Sequence, residues 1–395
     1  MKRKLFIIIL LFLFISCDLF FGADSLIVPD NAAYIYSWTG LYYLDLRNHK
    51  YVGRIDFPGT AAAFGGEFPA ISEDGKKLFI AARGKSGSER FGITVIDIPA
   101  GKISEHHIFP SFYSIRDIAH IPGTTNLLTF GLQKPYEGDP AGNFIFNFVK
   151  IDYTTMSIVD ELPVLHDLQP AFMPQTDLSV SPDGRWAVFT SNPTTEAIFN
   201  SILTVIDLKT FEVAAHFEVS VIPRHPVFTD NSRSLYIRSE ASRDAHVYYV
   251  DLARMEIRMI YDYRPEHAET YFPYGALIAV PNSGEMLFSY HLSPRQLDLW
   301  EGISPFRVVR FNEQGEIIQS IESNVFGGLR QRVALYNDTT FCVWYHPKAI
   351  TMVDESTQYI DAKILYVSVD DLRVIREEPL RIPRAAFNAG IFIIP

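Results

Sequence analysis

Apolar residues in this chain gather in short runs rich in β-branched and aromatic side chains, and a tight polar turn parts each run from the next. SPDGRWAVFT, from Ser181 to Thr190, is one such unit: a turn, then an apolar run that opens on Trp186. Similar stretches return as VPDNAAYIYS at Val28, ISEDGKKLFI at Ile71, FTDNSRSLYI at Phe228 and VPNSGEMLFS at Val280. Runs of this kind predict strands, because β-branched and aromatic side chains fit a pleated, packed surface. Asp and Asn suit the turns by bonding their own backbone, and Gly or Asn by accepting a left-handed φ. Beyond the N-terminal segment no stretch keeps a helical apolar period, so the chain reads as all-β.

The turns that open these hairpins fall at Asp30, Asp74, Gly123, Asp183, Asn231, Asn282 and Asn337, spaced 44 to 60 residues apart. A second hairpin follows each, clearest in TVIDIPAGKI from Thr94 and TVIDLKTFEV from Thr204. Four strands in each of seven units predict a seven-bladed β-propeller with four antiparallel strands per blade. The chain stops at GIFIIP, Gly390 to Pro395, which reads as the first strand of a unit whose continuation stands at the N-terminus as PDNAAYIYSW. A C-terminal strand completing the first blade would close the ring and remove an exposed edge. Leu26 to Val28 could fill the same place.

SPDGRWAVFTS, and SEDGKKLFIAARG followed by GITVIDI, resemble the repeats of the YVTN and lactonase-like propeller superfamily. They are equally similar to the WD40-like repeats of TolB-type propellers. The resemblance implies the fold; it leaves the activity open, since unrelated functions share such folds.

In a propeller the turns between strands one and two, and three and four, share one face. Those turns are short here, and the longer connections, such as YHLSPRQLDLWEGISPF from Tyr290, fall on the other face. Long loops on a rigid scaffold are where binding usually resides. Arginines just before inner strands, Arg116, Arg224, Arg330, Arg332 and Arg384, would place guanidiniums near the mouth of the central channel. Such forks bind a carboxylate or phosphate in bidentate fashion, unless they pair with neighbours such as Asp117 or snorkel. His225, His291 and the aromatic residues Tyr271, Tyr274 and Tyr345 belong to the same side, as interface anchors or as inter-blade packing. The aspartates Asp45, Asp97, Asp152, Asp207 and Asp251 recur once per unit at one hairpin, which marks them as turn formers.

The chain opens MKRKLFIIILLFLFISC: three basic residues, then an apolar run from Leu5 to Ile15 suited to a signal-peptide core and short for a bilayer span. Ser16 before Cys17 resembles the bacterial lipoprotein signal, with Phe14 standing where leucine is usual. That resemblance implies a signal peptide over 1–16, acylation (palmitate among the chains) of Cys17, a linker over 17–25 and a propeller over 26–395. Of 35 basic residues, 32 remain once Lys2, Arg3 and Lys4 leave with the signal, against 46 acidic ones, a net charge of −14. That excludes phosphate-backbone binding, so no nucleic acid is expected.

No His, Cys, Asp and Glu grouping has ligand spacing, so no metal and no cofactor are expected. There is no GxSxG elbow for a serine hydrolase and no phosphate-cradling glycine motif. The residues thus point to a protein- or peptide-binding scaffold of the cell envelope, held at the membrane through its lipid anchor. The alternatives are a lactonase- or hydrolase-like enzyme over the central channel and a carbohydrate or small-ligand binder. The partner's identity, the leaflet and the oligomeric state are not legible.

Overall fold

The computed structural model describes residues 32–37, 40–57, 69–83, 91–112, 114–133, 145–165, 177–191, 200–220, 223–239, 245–263, 271–294, 305–326, 332–345, 359–383 and 390–393. The expected signal peptide, Cys17, the linker and the candidate strand at Leu26 lie outside them, as do Arg330 and Arg384. Among the described residues every helix or strand assigned is a strand.

The strands follow one another as β1 (Ala32–Ser37), β2 (Gly40–Asp45) and β3 (Lys50–Asp56), then β4 (Ala70–Ile71), β5 (Lys77–Arg83), β6 (Phe91–Asp97) and β7 (Lys102–His107). Next come β8 (Ser114–His120), β9 (Asn126–Gln133), β10 (Ile145–Asp152) and β11 (Ser157–Leu165), and β12 (Asp177–Val180), β13 (Trp186–Ser191), β14 (Asn200–Asp207) and β15 (Glu212–Ser220). They continue with β16 (Pro223–Phe228), β17 (Ser234–Ser239), β18 (His246–Asp251) and β19 (Glu256–Asp262), and β20 (Tyr271–Ala279), β21 (Met286–Pro294), β22 (Pro305–Phe311) and β23 (Ile317–Phe326). The last are β24 (Arg332–Asn337), β25 (Thr340–Tyr345), β26 (Tyr359–Ser368), β27 (Val374–Pro383) and β28 (Gly390–Ile393).

Strands β4 to β23 form five separate four-stranded antiparallel sheets. An eight-stranded sheet, ordered β24-β25-β26-β27-β3-β2-β1-β28, holds the rest, and its two halves are paired only at the parallel bridge of Arg381 and Lys50. The first strands of successive sheets touch one another: β4 packs on β8, β8 on β12, β12 on β16, β16 on β20, β20 on β24 and β24 on β28. This is the architecture of a β-propeller.

Burial follows from it. A middle strand has a sheet on either side, so β2 and β17 are buried almost residue by residue, whereas outer strands such as β3 alternate exposed and half-buried positions. The hydrophobic clusters lie between sheets. Leu128, Phe130 and Phe148 of one sheet meet Ala187, Phe189 and Ile206 of the next, and Ala33, Tyr42 and Leu44 meet Ala334, Cys342 and Ile364.

Three of the recurring hairpins are built one way. Ser181 donates its hydroxyl to Asp183 Oδ1 at 2.6 Å, and Asp183 Oδ1 accepts the Arg185 N–H. Ser72 with Asp74, and Thr229 with Asn231, repeat the pattern. Neighbouring turns are also stitched together. Glu73 Oε2 accepts the Gly123 N–H at 3.1 Å, Ser232 Oγ the Asp183 N–H at 3.0 Å, and Asp230 Oδ2 the Asn282 N–H at 2.6 Å.

In the second hairpin Asp45, Asp97, Asp152, Asp207 and Asp251 each accept backbone N–H groups of their own turn. Four residues after each aspartate the chain takes a left-handed φ, at His49, Gly101, Met156, Phe211 and Met255; Gly315 and Leu372 do the same in the remaining turns. Only two of these are glycine. Phe211 and Leu372 are buried against the neighbouring sheet. Burying a large apolar side chain contributes about 1.5–3 kcal/mol, against about 1–2 kcal/mol for the left-handed turn; burial wins.

Candidate functional site

The register of the first two strands in each sheet places several inner-strand residues on one rung. Arg116 faces Phe130, Asp177 faces Thr190, Arg224 faces Arg238 and Arg332 faces Trp344. The facing residue is in each case the fifth of its strand, so the four partners stand at the same height. The rung also holds Gly275, opposite Tyr290, and Gly390, opposite Tyr36. It lies near the N-terminal ends of the inner strands, on the face opposite the short turns. Of the six residues named, three are arginine, one is aspartate and two carry no side chain.

Local geometry brings these positions level. β8 carries a bulge between Arg116 and Ile118, and β16 one between Arg224 and Val227. The extra residues are held at positive φ, Asp117 at 44° and His225 at 51°. Bulges re-aim side chains, and strained backbone persists only where its surroundings hold it. At β8 the Asp117 carbonyl accepts the Thr129 hydroxyl at 2.7 Å. At β16 the hold comes from the previous sheet, where Asp177 Oδ2 accepts the His225 N–H at 2.9 Å.

Asp177 is the centre of this arrangement. Its Oδ1 stands 3.8 Å from Arg224 Nη1, with the two side chains 6% and 16% exposed. Its own N–H donates to Thr190 Oγ1 at 3.2 Å. Arg238 and His246 are buried close by in β17 and β18, with His246 Nε2 3.9 Å from Asp262 Oδ2. Buried charge of this density persists only where it is paired and hydrogen-bonded. A guanidinium fixed by one carboxylate keeps further N–H groups in a planar fork, suited to a second carboxylate or a phosphate.

Of the residues expected at the site, Arg224 and His225 are thus brought together with a third, Asp177, that the sequence alone does not single out. Arg116 and Arg332 are placed on the rung by their backbone. Tyr274 and His291 lie directly opposite one another in β20 and β21, and Tyr271 faces Pro294 at the same end. Tyr345 ends β25 opposite Lys363. Among the described residues no three His, Cys, Asp or Glu side chains converge as a metal site.

No protein-family model matches the chain, and no curated protein matches it. Solved structures share its fold. A functionally unknown protein from Desulfotomaculum acetoxidans aligns with a TM-score of 0.54 at 12% identity, over 92% of this chain and 99% of that one. A protein from Lactobacillus plantarum aligns at 0.55 and 11% identity, over 92% and 100%. A proposed 6-phosphogluconolactonase from Bacteroides fragilis aligns at 0.51 and 11% identity, over 95% and 99%. Likeness at this level of identity concerns the fold alone.

Proposed function

We propose that this chain is an exported, lipid-anchored propeller of seven blades that holds a protein or peptide partner on the face where its inner strands begin. The seven-blade reading is supported by the seven hydrophobic clusters among the described residues, six spanning two neighbouring sheets and one joining the two halves of the eight-stranded sheet. Closure by the C-terminal strand is supported by the antiparallel pairing of β28 with β1. The anchor rests on the N-terminal sequence and Cys17.

The observation that carries the binding reading is the rung itself. Among the described residues of the rung Arg116, Arg224 and Arg332 share one height with a single carboxylate, Asp177, which favours an acidic group of the partner as the element received. Asp177 is committed to the His225 N–H and to Arg224, and a carboxylate so engaged is a poor general base. This favours binding over a hydrolase on the same residues.

The test is affinity capture from detergent-solubilised envelopes with the full chain and with an Arg224→Ala/Arg332→Ala variant whose urea midpoint has been checked. A partner held by the wild type should fall by at least about tenfold with the variant, since truncating one member of a desolvated charge pair costs about 2–5 kcal/mol. Equal capture by both proteins would remove the rung from the binding site.

A further inference from the structure

The rung has an order around the ring as well as a height. Successive first strands touch from β8 to β28, so its positions follow one another as Arg116, Asp177, Arg224, Gly275, Arg332 and Gly390. The arginines therefore stand on alternate sheets. Asp177 lies between the first two of them, and Gly275 between the second and third. What a carboxylate does in such a place is visible at Asp177. Its Oδ1 reaches forward to Arg224 Nη1 on the next sheet, 3.8 Å away, while its Oδ2 accepts the His225 N–H. Gly275 precedes Arg332 on the rung as Asp177 precedes Arg224, but it has no side chain to offer.

Packing keeps that position a glycine. A Cβ on Gly275 would lie 2.7 Å from Phe288 Cε2 and 2.8 Å from the Ser289 carbonyl oxygen, closer than a Cβ tolerates. Phe288 and Ser289 are both buried in β21, where close packing leaves them little room to give way. The position therefore cannot supply a carboxylate as Asp177 does. Among the described residues the rung holds three arginine positions and one acid, so charge complementarity calls for a further carboxylate. A guanidinium receives one in a planar, bidentate geometry.

We propose that a carboxylate of the partner is received over Gly275, between the positions of Arg224 and Arg332, and completes there the pairing that Asp177 makes one gap earlier. This rests on the axial reading above and narrows it. Arg332 becomes the principal contact, with Arg224 on the other side of the gap, whereas Arg116, beyond Asp177, contributes less.

Three peptides with an uncharged dansyl label, titrated against the full chain in detergent and followed by anisotropy, test this. Gly-Gly-Glu-Gly-Gly amide carries one side-chain carboxylate, Gly-Gly-Gln-Gly-Gly with a free C-terminus carries one at its end, and Gly-Gly-Gln-Gly-Gly amide carries none. At least one of the first two should bind about tenfold or more tightly than the third, a comparison that needs no variant protein. Whichever binds assigns the received carboxylate to a side chain or to a chain end. Arg332→Ala, with its urea midpoint checked, should lose at least about fivefold more affinity for that peptide than Arg116→Ala. Equal affinity for all three peptides, no binding at about 1 mM peptide, or equal losses in the two variants would each overturn the proposal. The axial reading fails by a different result, an Arg224→Ala/Arg332→Ala variant that captures its envelope partner as well as the wild type does.

Discussion

Asp177 joins two sheets through one side chain, and removing it tests how the site is held. Its Oδ2 accepts the N–H of His225, the residue at φ 51° inside the β16 bulge, and its Oδ1 faces Arg224 at 3.8 Å. A hydrogen bond to a charged group contributes about 1.5–3 kcal/mol. Removing one member of a buried pair costs about 3–5 kcal/mol, and the long separation and 16% exposure of Arg224 place this pair at the lower end. Asp177→Ala should therefore destabilise the fold by about 3 kcal/mol.

Asp177→Asn keeps an acceptor for His225 but not its charge, so it should cost about half as much. Arg224→Ala leaves the His225 contact intact but strips the buried Asp177 carboxylate of this counter-charge, so it should cost about 2–3 kcal/mol, and the Asp177→Ala/Arg224→Ala cycle should show a coupling of similar size. Urea denaturation with an unchanged m-value reads each figure. If Asp177→Asn proves as costly as Asp177→Ala, the charge of Asp177 matters more than its bond to the His225 backbone. If Asp177→Ala costs less than about 0.5 kcal/mol, the carboxylate does not hold the bulge at all. An Arg224→Ala protein that remains folded in the absence of urea is also what makes the capture assay interpretable.

Two further outcomes follow from buried groups elsewhere. Phe211→Ala should cost about 3 kcal/mol or more, whereas Phe211→Gly, relieved of its left-handed φ of 54°, should recover about 1 kcal/mol of that loss; a glycine variant less stable than the alanine one would rule out backbone strain at this position. The Cys342 thiol is fully buried, and burial pushes its pKa up to about 12, so it should stay unlabelled by iodoacetamide in the native protein at pH 8.5. Because the unfolded thiol titrates lower, this contribution to stability is complete below the ordinary thiol range and is lost as pH rises towards 12. In denaturant the chain should titrate one thiol if Cys17 is acylated and two if it is not, which tests the anchor directly.

These positions also show what the sequence makes legible and what it hides. The hairpins are readable because a strand packed on both faces must be apolar throughout, and a two-strand turn must carry Asp, Asn or Gly. The left-handed residue of the second hairpin is not readable: Met156, Phe211 and Leu372 look like ordinary apolar positions, since tertiary burial outweighs the local preference for glycine. At the site, spacing alone misleads. Arg116 and Arg224 stand seven residues before their turn residues Gly123 and Asn231, and Asp177 stands six before Asp183. The difference is the one-residue bulge that β8 and β16 carry and β12, paired without interruption to β13, does not. By the same seven-residue spacing Arg330 would be chosen before Asn337, yet pairing places Arg332 on the rung. Both arginines stand out along the chain, whereas Asp177 looks like no more than a residue opening a strand. A rung is a property of pairing, not of count along the chain, so convergence of Arg116, Asp177, Arg224 and Arg332 emerges only once the register is known.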